Sequence, residues 1–204
     1  MVEEGVDESK RSTLRRFAAI GAAGPLSTFR SSDDAEAESD TRDALAGYIA
    51  ATPGAHFSKI RDDLQLGTGE TQHHLRRLRR EDAIETRKDG DYSRFFPAGR
   101  FSAFEQVALG YLRRETPRGM LITLLRTPDV TGAELADEVG VSAPTISNYA
   151  GELADAGLLT KEDGYTVENP EVVLLLLVRY ADSFDADTTE LAADAADLLQ
   201  YEPR

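Results

Sequence analysis

The sequence predicts a mainly α-helical protein with small β-hairpins, built as two copies of one compact unit plus C-terminal helices. Three observations predict it. Apolar residues recur at i, i+3 and i+4 in short runs bounded by Gly and Pro, the mark of amphipathic helices. Asp89-Gly90 and Asp163-Gly164 are hairpin turn signals, because the tight turn needs positive φ angles that Asp and Gly tolerate. Residues 53–85 and 128–160 align without a gap at an offset of 75. Pro53 matches Pro128, Ile60 matches Leu135, Leu64 matches Val139, Leu66 matches Val141, Leu78 matches Leu153 and Ile84 matches Leu159. The shared positions are mostly apolar, as core positions of a common fold would be. Two copies are too few for a solenoid.

In the first copy, Asp40 or Thr41 is placed to cap a helix carrying Leu45, Tyr48 and Ile49 on one face, ended by Pro53-Gly54. A short helix near residues 58–64 follows, with Ile60 and Leu64 at i and i+4. Gln65-Leu66-Gly67 is a tight turn. Thr68 then caps a helix to about Glu81, with Leu75 and Leu78 facing inward. A hairpin around Asp89-Gly90 closes the unit. Helix, helix, turn, helix and β-hairpin together make a winged helix-turn-helix.

The second copy repeats the order. Thr116 caps and Pro117 opens a helix with Met120, Leu121, Leu124 and Leu125. Thr131 and Glu134 have capping-box spacing, Gly140-Val141-Ser142 is the turn, and residues 143–156 form the second candidate recognition helix, ended by Gly157. Between the copies, Ser102 and Glu105 make another capping box. Phe104, Val107, Ala108, Tyr111 and Leu112 then form one apolar face of a joining helix, expected to be rigid. Pro170 opens a helix through VVLLLLVRYADSF. A last amphipathic helix carries Leu191, Ala195, Leu198 and Leu199.

SAPTISNYAGELADAGLL and TGETQHHLRRLRREDAI both resemble the recognition-helix signature of the broad winged-helix regulator families that include the arsenic-responsive and multiple-antibiotic-resistance repressors. PGAHF…LQLGTGETQHHLRRL and YLRRETPRGML, within residues 41–168, resemble the tandem winged-helix regulators of haloarchaea. The resemblance implies DNA binding. In single-unit relatives, terminal helices of this kind often form the dimer interface. The resemblance is weaker for target or ligand, because one fold hosts many functions.

Composition bounds the rest. The chain has 204 residues, a formal net charge of −14 and no cysteine, which excludes disulfides, thiolate metal sites and cysteine nucleophiles. The apolar run VVLLLLV is too short for a bilayer span of roughly 20 residues. Of 23 basic residues only Lys10, Lys59, Lys88 and Lys161 are lysine. Few lysines and many acids resemble the proteins of salt-loving archaea, so overall acidity says little about partners. Its distribution says more: residues 41–100 carry net +2, and residues 127–204 net −14. Near the start, Arg15-Arg16 precedes a short apolar stretch in the manner of a twin-arginine export signal. Phe17 stands where that pattern leaves a spacer. A short helix at about residues 11–22 is the simpler reading, ended by Gly24-Pro25, with a flexible acidic linker from Ser31 to Asp40.

The stretch TQHHLRRLRRE, residues 71–81, concentrates positive charge in this acidic chain. A metal site is disfavoured, because adjacent His73 and His74 point about 100° apart on a helix. A solvated charged face is the ordinary alternative. Against it stand the recognition position of the helix and its partner in the second copy, which has no Arg or Lys. On a DNA reading, Gln72 and His73 face base edges, and Arg76 reaches guanine or phosphate. Thr68, Arg77 and Arg80 hold phosphates, while Arg87, Lys88 and Arg94 act from the wing. His74 packs at the helix edge. Thr145, Ser147 and Asn148 offer weaker DNA or partner contacts, since Lys161 is the only basic residue from Asp129 to Asn169.

The domains read as 1–40, a short helix and linker; 41–100, the first winged helix-turn-helix; 101–168, the joining helix and second winged helix-turn-helix; and 169–204, C-terminal helices for dimerisation or packing. The expectation is a cytoplasmic, homodimeric regulator that binds double-stranded DNA, without catalytic residues, cofactor or metal. The acidic second unit is a possible surface for a protein partner. The alternative is an interaction adaptor, which would have no need of the arginine run.

Overall fold

The computed structural model describes residues 12–19, 33–162 and 164–198, with side chains for 12–19, 39–162 and 164–193. It divides between Phe101 and Ser102 into two compact units.

The first unit begins with helix α1 over residues 12–19. Its Leu14 and Phe17 pack against the unit's core, and the Phe17 ring meets Tyr48 edge-on at 5.1 Å. The short N-terminal helix thus lies on the body of its own unit; residues 20–22 and Gly24-Pro25 fall outside the described residues. Helix α2, Asp33–Ala51, corrects the expected start at Asp40 or Thr41. The acidic stretch read as a linker is helical from Asp33. Ala and Glu in DDAEAES favour helix, and acids in its first turns complement the helix dipole. Leu45, Tyr48 and Ile49 lie on its buried face.

Strand β1 is Ala55–His56, followed by helix α3, Phe57–Asp63, and helix α4, Thr68–Arg80. The N-cap of α4 is Gly67, which corrects Thr68: the Glu70 carboxylate accepts from the Gly67 N–H at 3.3 Å, and Thr68 is already helical. Strands β2, Ile84–Asp89, and β3, Tyr92–Pro97, form the wing hairpin. β1 joins it to make an antiparallel sheet of order β1-β3-β2. The two-residue β1 is too short to carry a period in sequence. The core comprises Leu45, Ile49, Ile60, Leu64, Leu75, Leu78, Ile84 and Phe95 among others.

The second unit opens with α5, Ala103–Leu112, capped reciprocally by Ser102 and Glu105. Helix α6 is Glu115–Arg126 with Arg114 as N-cap, which corrects Thr116. Pro117 is tolerated there because the first four N–H groups of a helix have no partner within it. Helix α7, Gly132–Val139, carries the Thr131–Glu134 capping box. Helix α8, Ala143–Asp155, is capped by Ser142. Strands β4, Leu159–Thr160, and β5, Thr166–Val167, pair as a short wing; Asp163 at its turn lies outside the described residues. Helix α9, Pro170–Arg179, a 3-10 turn at Ala181–Ser183, and α10, Ala186–Leu198, complete the unit. Leu191 is buried; Leu199 and the side chains of Ala195 and Leu198 fall outside the described set.

The terminal helices are fastened to their own unit by Arg113, at the C-terminal cap of α5, and Arg118 of α6. Arg113 Nη1 donates to the Ser183 carbonyl at 2.8 Å, with its guanidinium 4.2 Å from the Phe184 ring centroid. Arg118 pairs with Asp185, which also caps α10 by accepting from the Thr188 N–H at 3.0 Å. Burial raises the Asp185 pKa. The hydrogen bonds from Thr188 and Arg118 outweigh it and hold the carboxyl below its ordinary value.

The offset of 75 seen in sequence is geometric too. α4 and α8 each have 13 residues and start at Thr68 and Ala143. All four helices of the two helix-turn-helix pairs end in the same left-handed cap. Gln65 at φ 54° matches Gly140 at 72°, and Asp82 at 53° matches Gly157 at 71°. At each cap, the next residue's N–H reaches back over the last turn, as in Leu66 to Arg61 at 3.0 Å and Val141 to Ala136 at 3.0 Å.

Candidate nucleic-acid interface

The sequence places α4 by burying one side of it. Thr71, His74, Leu75 and Leu78 are buried, and each leucine contributes about 1.5–3 kcal/mol. At about 100° per residue, the opposite side is a stripe centred on Arg76. Gly69 and Arg80 lie on one flank, Gln72 and Arg79 on the other, and His73 at the edge. All six are exposed. His73, Arg76, Arg79 and Arg80 line one shallow groove. Arg76 Nη2 donates to Gln72 Oε1 at 3.2 Å, which fixes two of the expected contact residues side by side.

Arg77 stands apart from this stripe. It is half-buried and ion-paired with Glu81 at 3.0 Å, one helical turn on. Thr68 is exposed at the start of the helix. His73 points outward and His74 inward, with their rings 5.3 Å apart at 85°. Arg79 was not among the expected contacts, yet it sits in the groove; a period counted from Arg76 would have found it.

The wing divides differently. Lys88 is exposed near the hairpin tip and Arg87 is half-buried. Arg94 corrects the expectation of a DNA-facing side chain. It is buried, ion-paired with Asp89, and its Nη1 donates to the Gly54 carbonyl at 2.9 Å. Its alternation along β3 sets it opposite His56 of β1 and Arg87 of β2, inside the sheet's covered centre. Tyr92, absent from the expected set, is the exposed aromatic of the wing at 54 %. Its ring lies 5.0 Å from that of His56. Burial first, then Arg94 and Lys59, hold the His56 imidazole below its ordinary pKa. It is therefore neutral at pH 7, and its Nδ1 accepts from the Lys59 N–H at 3.3 Å to cap α3.

The second unit presents the same frame with other chemistry. Ser147 and Asn148 are exposed at the places of Gln72 and His73. Thr145 is half-buried, its hydroxyl 2.8 Å from that of Ser142. The places of Arg76, Arg77, Arg79 and Arg80 hold Gly151, Glu152, Ala154 and Asp155. Glu152 is paired with Arg114 at 3.2 Å.

Comparison with known proteins also finds two parts, meeting between residues 109 and 113. Residues 39–109 match a family described as an N-terminal HTH domain. Residues 113–160 match one described as winged helix-turn-helix DNA-binding. This is a tandem winged helix-turn-helix protein. A protein of Methanocaldococcus jannaschii, named an uncharacterized HTH-type transcriptional regulator, is similar to this tandem protein. The identity is 26 % over 126 residues, covering 61 % of this chain and 32 % of the relative. The chain therefore spans about a third of that relative's length. No solved structure matches. No helix among the described residues is long and apolar enough to cross a membrane.

Proposed function

We propose that this protein is a cytoplasmic, DNA-binding transcriptional regulator that reads double-stranded DNA through α4 of the first unit. One observation carries the reading: Gln72, His73, Arg76, Arg79 and Arg80 share the exposed side of a helix-turn-helix recognition helix in a chain of net charge −14. A recognition helix enters the major groove with its N-terminal residues at base edges. Gln72 and His73 are those residues. Gln pairs with adenine in bidentate fashion and Arg76, one turn on, with guanine. Arg79 and Arg80 hold phosphates further along, and Lys88 with Arg87 extends the contact from the wing.

The second unit takes another role. With Glu152 and Asp155 where the first unit has arginines, α8 repels phosphate, and its acidic outer side suits a protein partner. The protein acts as a homodimer, with one first unit on each half-site.

The test is a mobility-shift assay with genomic fragments, from about 0.1 to 1 M KCl, a range that spans weak to strong screening. Arg76→Ala with Arg80→Ala abolishes the shift. Ser147→Ala with Asn148→Ala leaves it. Equal loss from both pairs would sink the division of labour, and no shift by the wild type favours the adaptor.

A further inference from the structure

Helix α6 ends at Arg126, 75 residues after α2 ends at Ala51, so the two helices can be compared place by place. In the first unit the α2 face is filled. Thr41, Ala44 and Tyr48 are buried there. The Tyr48 ring meets Phe17 of α1 at 5.1 Å, and its hydroxyl donates to Asp63 at 2.6 Å. In the second unit Thr116, Gly119 and Thr123 stand at the three α2 places, and Glu138 at the place of Asp63. Threonine lacks the tyrosine ring. The space is an open cleft of about 500 Å³ between α6, the end of α7 and the start of α10. Small-molecule sites occupy roughly 300–1,000 Å³.

The lining states what such a ligand must carry. Its apolar part is buried Ile122 with half-buried Val139 and Val141. Its exposed rim is Glu115, Glu138, Asp187 and Glu190 against one cation, Arg126. Asp185 also lines the cleft, but Arg118 holds it. An anion is repelled by this rim, whereas a cation is drawn to it. The rim carboxylates come from three elements, and among the described residues no group of three or more could hold a metal ion. The charge therefore arrives on an organic body that covers the apolar part. The filling of the first unit has the same composition. Phe17 supplies a ring, and the Arg16 guanidinium lies 5.8 Å from its centroid.

We propose that this cleft of the second unit is a binding site for a small organic cation, an aromatic body carrying an ammonium or guanidinium head. The ring lies on Ile122, Val139 and Val141, in the space that Tyr48 and Phe17 fill in the first unit. The head takes the carboxylates of the rim. An occupied site touches both the turn before α8, through Val141, and the start of α10, through Asp187 and Glu190. The proposal goes beyond the reading of DNA by α4 and does not depend on it.

The full-length protein without DNA, at one fixed KCl concentration, is titrated with benzyltrimethylammonium and followed by amide chemical shifts. Tetramethylammonium supplies the head without the ring, and benzyl alcohol the ring without the charge. Benzyltrimethylammonium shifts the amides of Gly119, Val139 and Val141 saturably. It binds about tenfold tighter than either fragment, because ring and head contribute together. Glu138→Gln with Glu190→Gln weakens it by about tenfold, as the loss of two exposed charge contacts would, and leaves benzyl alcohol unchanged. Thr123→Tyr restores the filling of the first unit and abolishes binding.

Melting curves show that each variant is folded. Should Thr123→Tyr overpack and unfold, the glutamine pair, on exposed side chains, carries the test. A wild type without saturable shifts overturns the proposal. Tetramethylammonium bound as tightly as the probe reduces the site to surface charge and overturns it. Benzyl alcohol bound as tightly removes the role of the rim and overturns it as well. So does unchanged binding in the glutamine pair or in a folded Thr123→Tyr. These readouts contain no DNA, so their failure leaves the reading of α4 standing.

Discussion

Arg94 and Asp89 form an ion pair across the two strands of the first wing, with the arginine side chain 4 % exposed and the aspartate 18 %. Arg94 also donates to the carbonyl of Gly54, 40 residues earlier in the chain, so one guanidinium ties the wing to the start of β1. Removing one partner of a buried pair leaves the other charge uncompensated, at about 3–5 kcal/mol. Arg94→Ala therefore lowers the stability of the first unit by about that much, and weakens DNA binding only through unfolding. Lys88→Ala, on the same hairpin but exposed, leaves the thermal midpoint unchanged. If Arg94→Ala melts like the wild type, its place is functional and the wing-contact reading returns.

The matched caps give a second prediction. Gln65 and Asp82 adopt left-handed conformations that the second unit assigns to Gly140 and Gly157. A non-glycine residue there costs about 1–2 kcal/mol, offset by the extra freedom glycine has when unfolded. Gln65→Gly thus stabilises the first unit by about 0.5–1 kcal/mol, and Asp82→Gly by less, since Asp tolerates this region better. Gly140→Gln destabilises the second unit by about 1 kcal/mol through backbone strain alone, because a Cβ at that position meets nothing within 4 Å. Chemical denaturation of the three variants checks the signs. A loss on Gln65→Gly contradicts the strain argument.

What was legible in the sequence follows from the range of each interaction. The Ser102–Glu105 and Thr131–Glu134 boxes, the turn at Asp89-Gly90 and the buried Leu75 and Leu78 are local, and spacing alone reveals them. Arg94 was misread because its neighbours in sequence describe an exposed hairpin, whereas Gly54 and the covered sheet face that bury it come from elsewhere. The roles of Arg113, Arg114 and Arg118 have a similar origin. Arg113 and Arg118 hold Ser183 and Asp185, 70 and 67 residues away, and Arg114 holds Glu152, 38 away. The start of α2 was missed for another reason: acidity in DDAEAES was read as disorder, though its Ala and Glu residues are good helix formers.

His56 makes the first unit sensitive to mild acid. Its folded-state pKa lies below the ordinary 6.5, so the unfolded chain takes up the proton more readily. The stabilisation is fully present above pH 6.5 and is lost as the pH falls through the lower folded value. Protonation also removes the Nδ1 acceptor that caps α3. Melting curves at successive pH values therefore show a decline that begins near pH 6.5, above the carboxylate range. His56→Asn keeps a capping side chain without the titration and flattens that decline. An unchanged decline in this variant would assign it to another group.

The arginine stripe makes the last prediction, and it separates phosphate contacts from base contacts. Each phosphate neutralised steepens the dependence of log K on log salt by about 0.9 on duplex DNA. Arg79→Ala and Arg80→Ala each reduce that slope by about one contact and weaken all sequences alike. Gln72→Ala leaves the slope unchanged and costs about 1–3 kcal/mol only on the preferred site, because its contact is to a base edge. Arg77→Ala has little effect on either quantity, since its guanidinium is held by Glu81. Fluorescence anisotropy titrations over a salt series measure both affinity and slope. Arg79 is the decisive member, because its place in the groove beside His73, Arg76 and Arg80 comes from the structure. An Arg79→Ala protein with wild-type slope and affinity would confine the interface to Arg76 and Arg80.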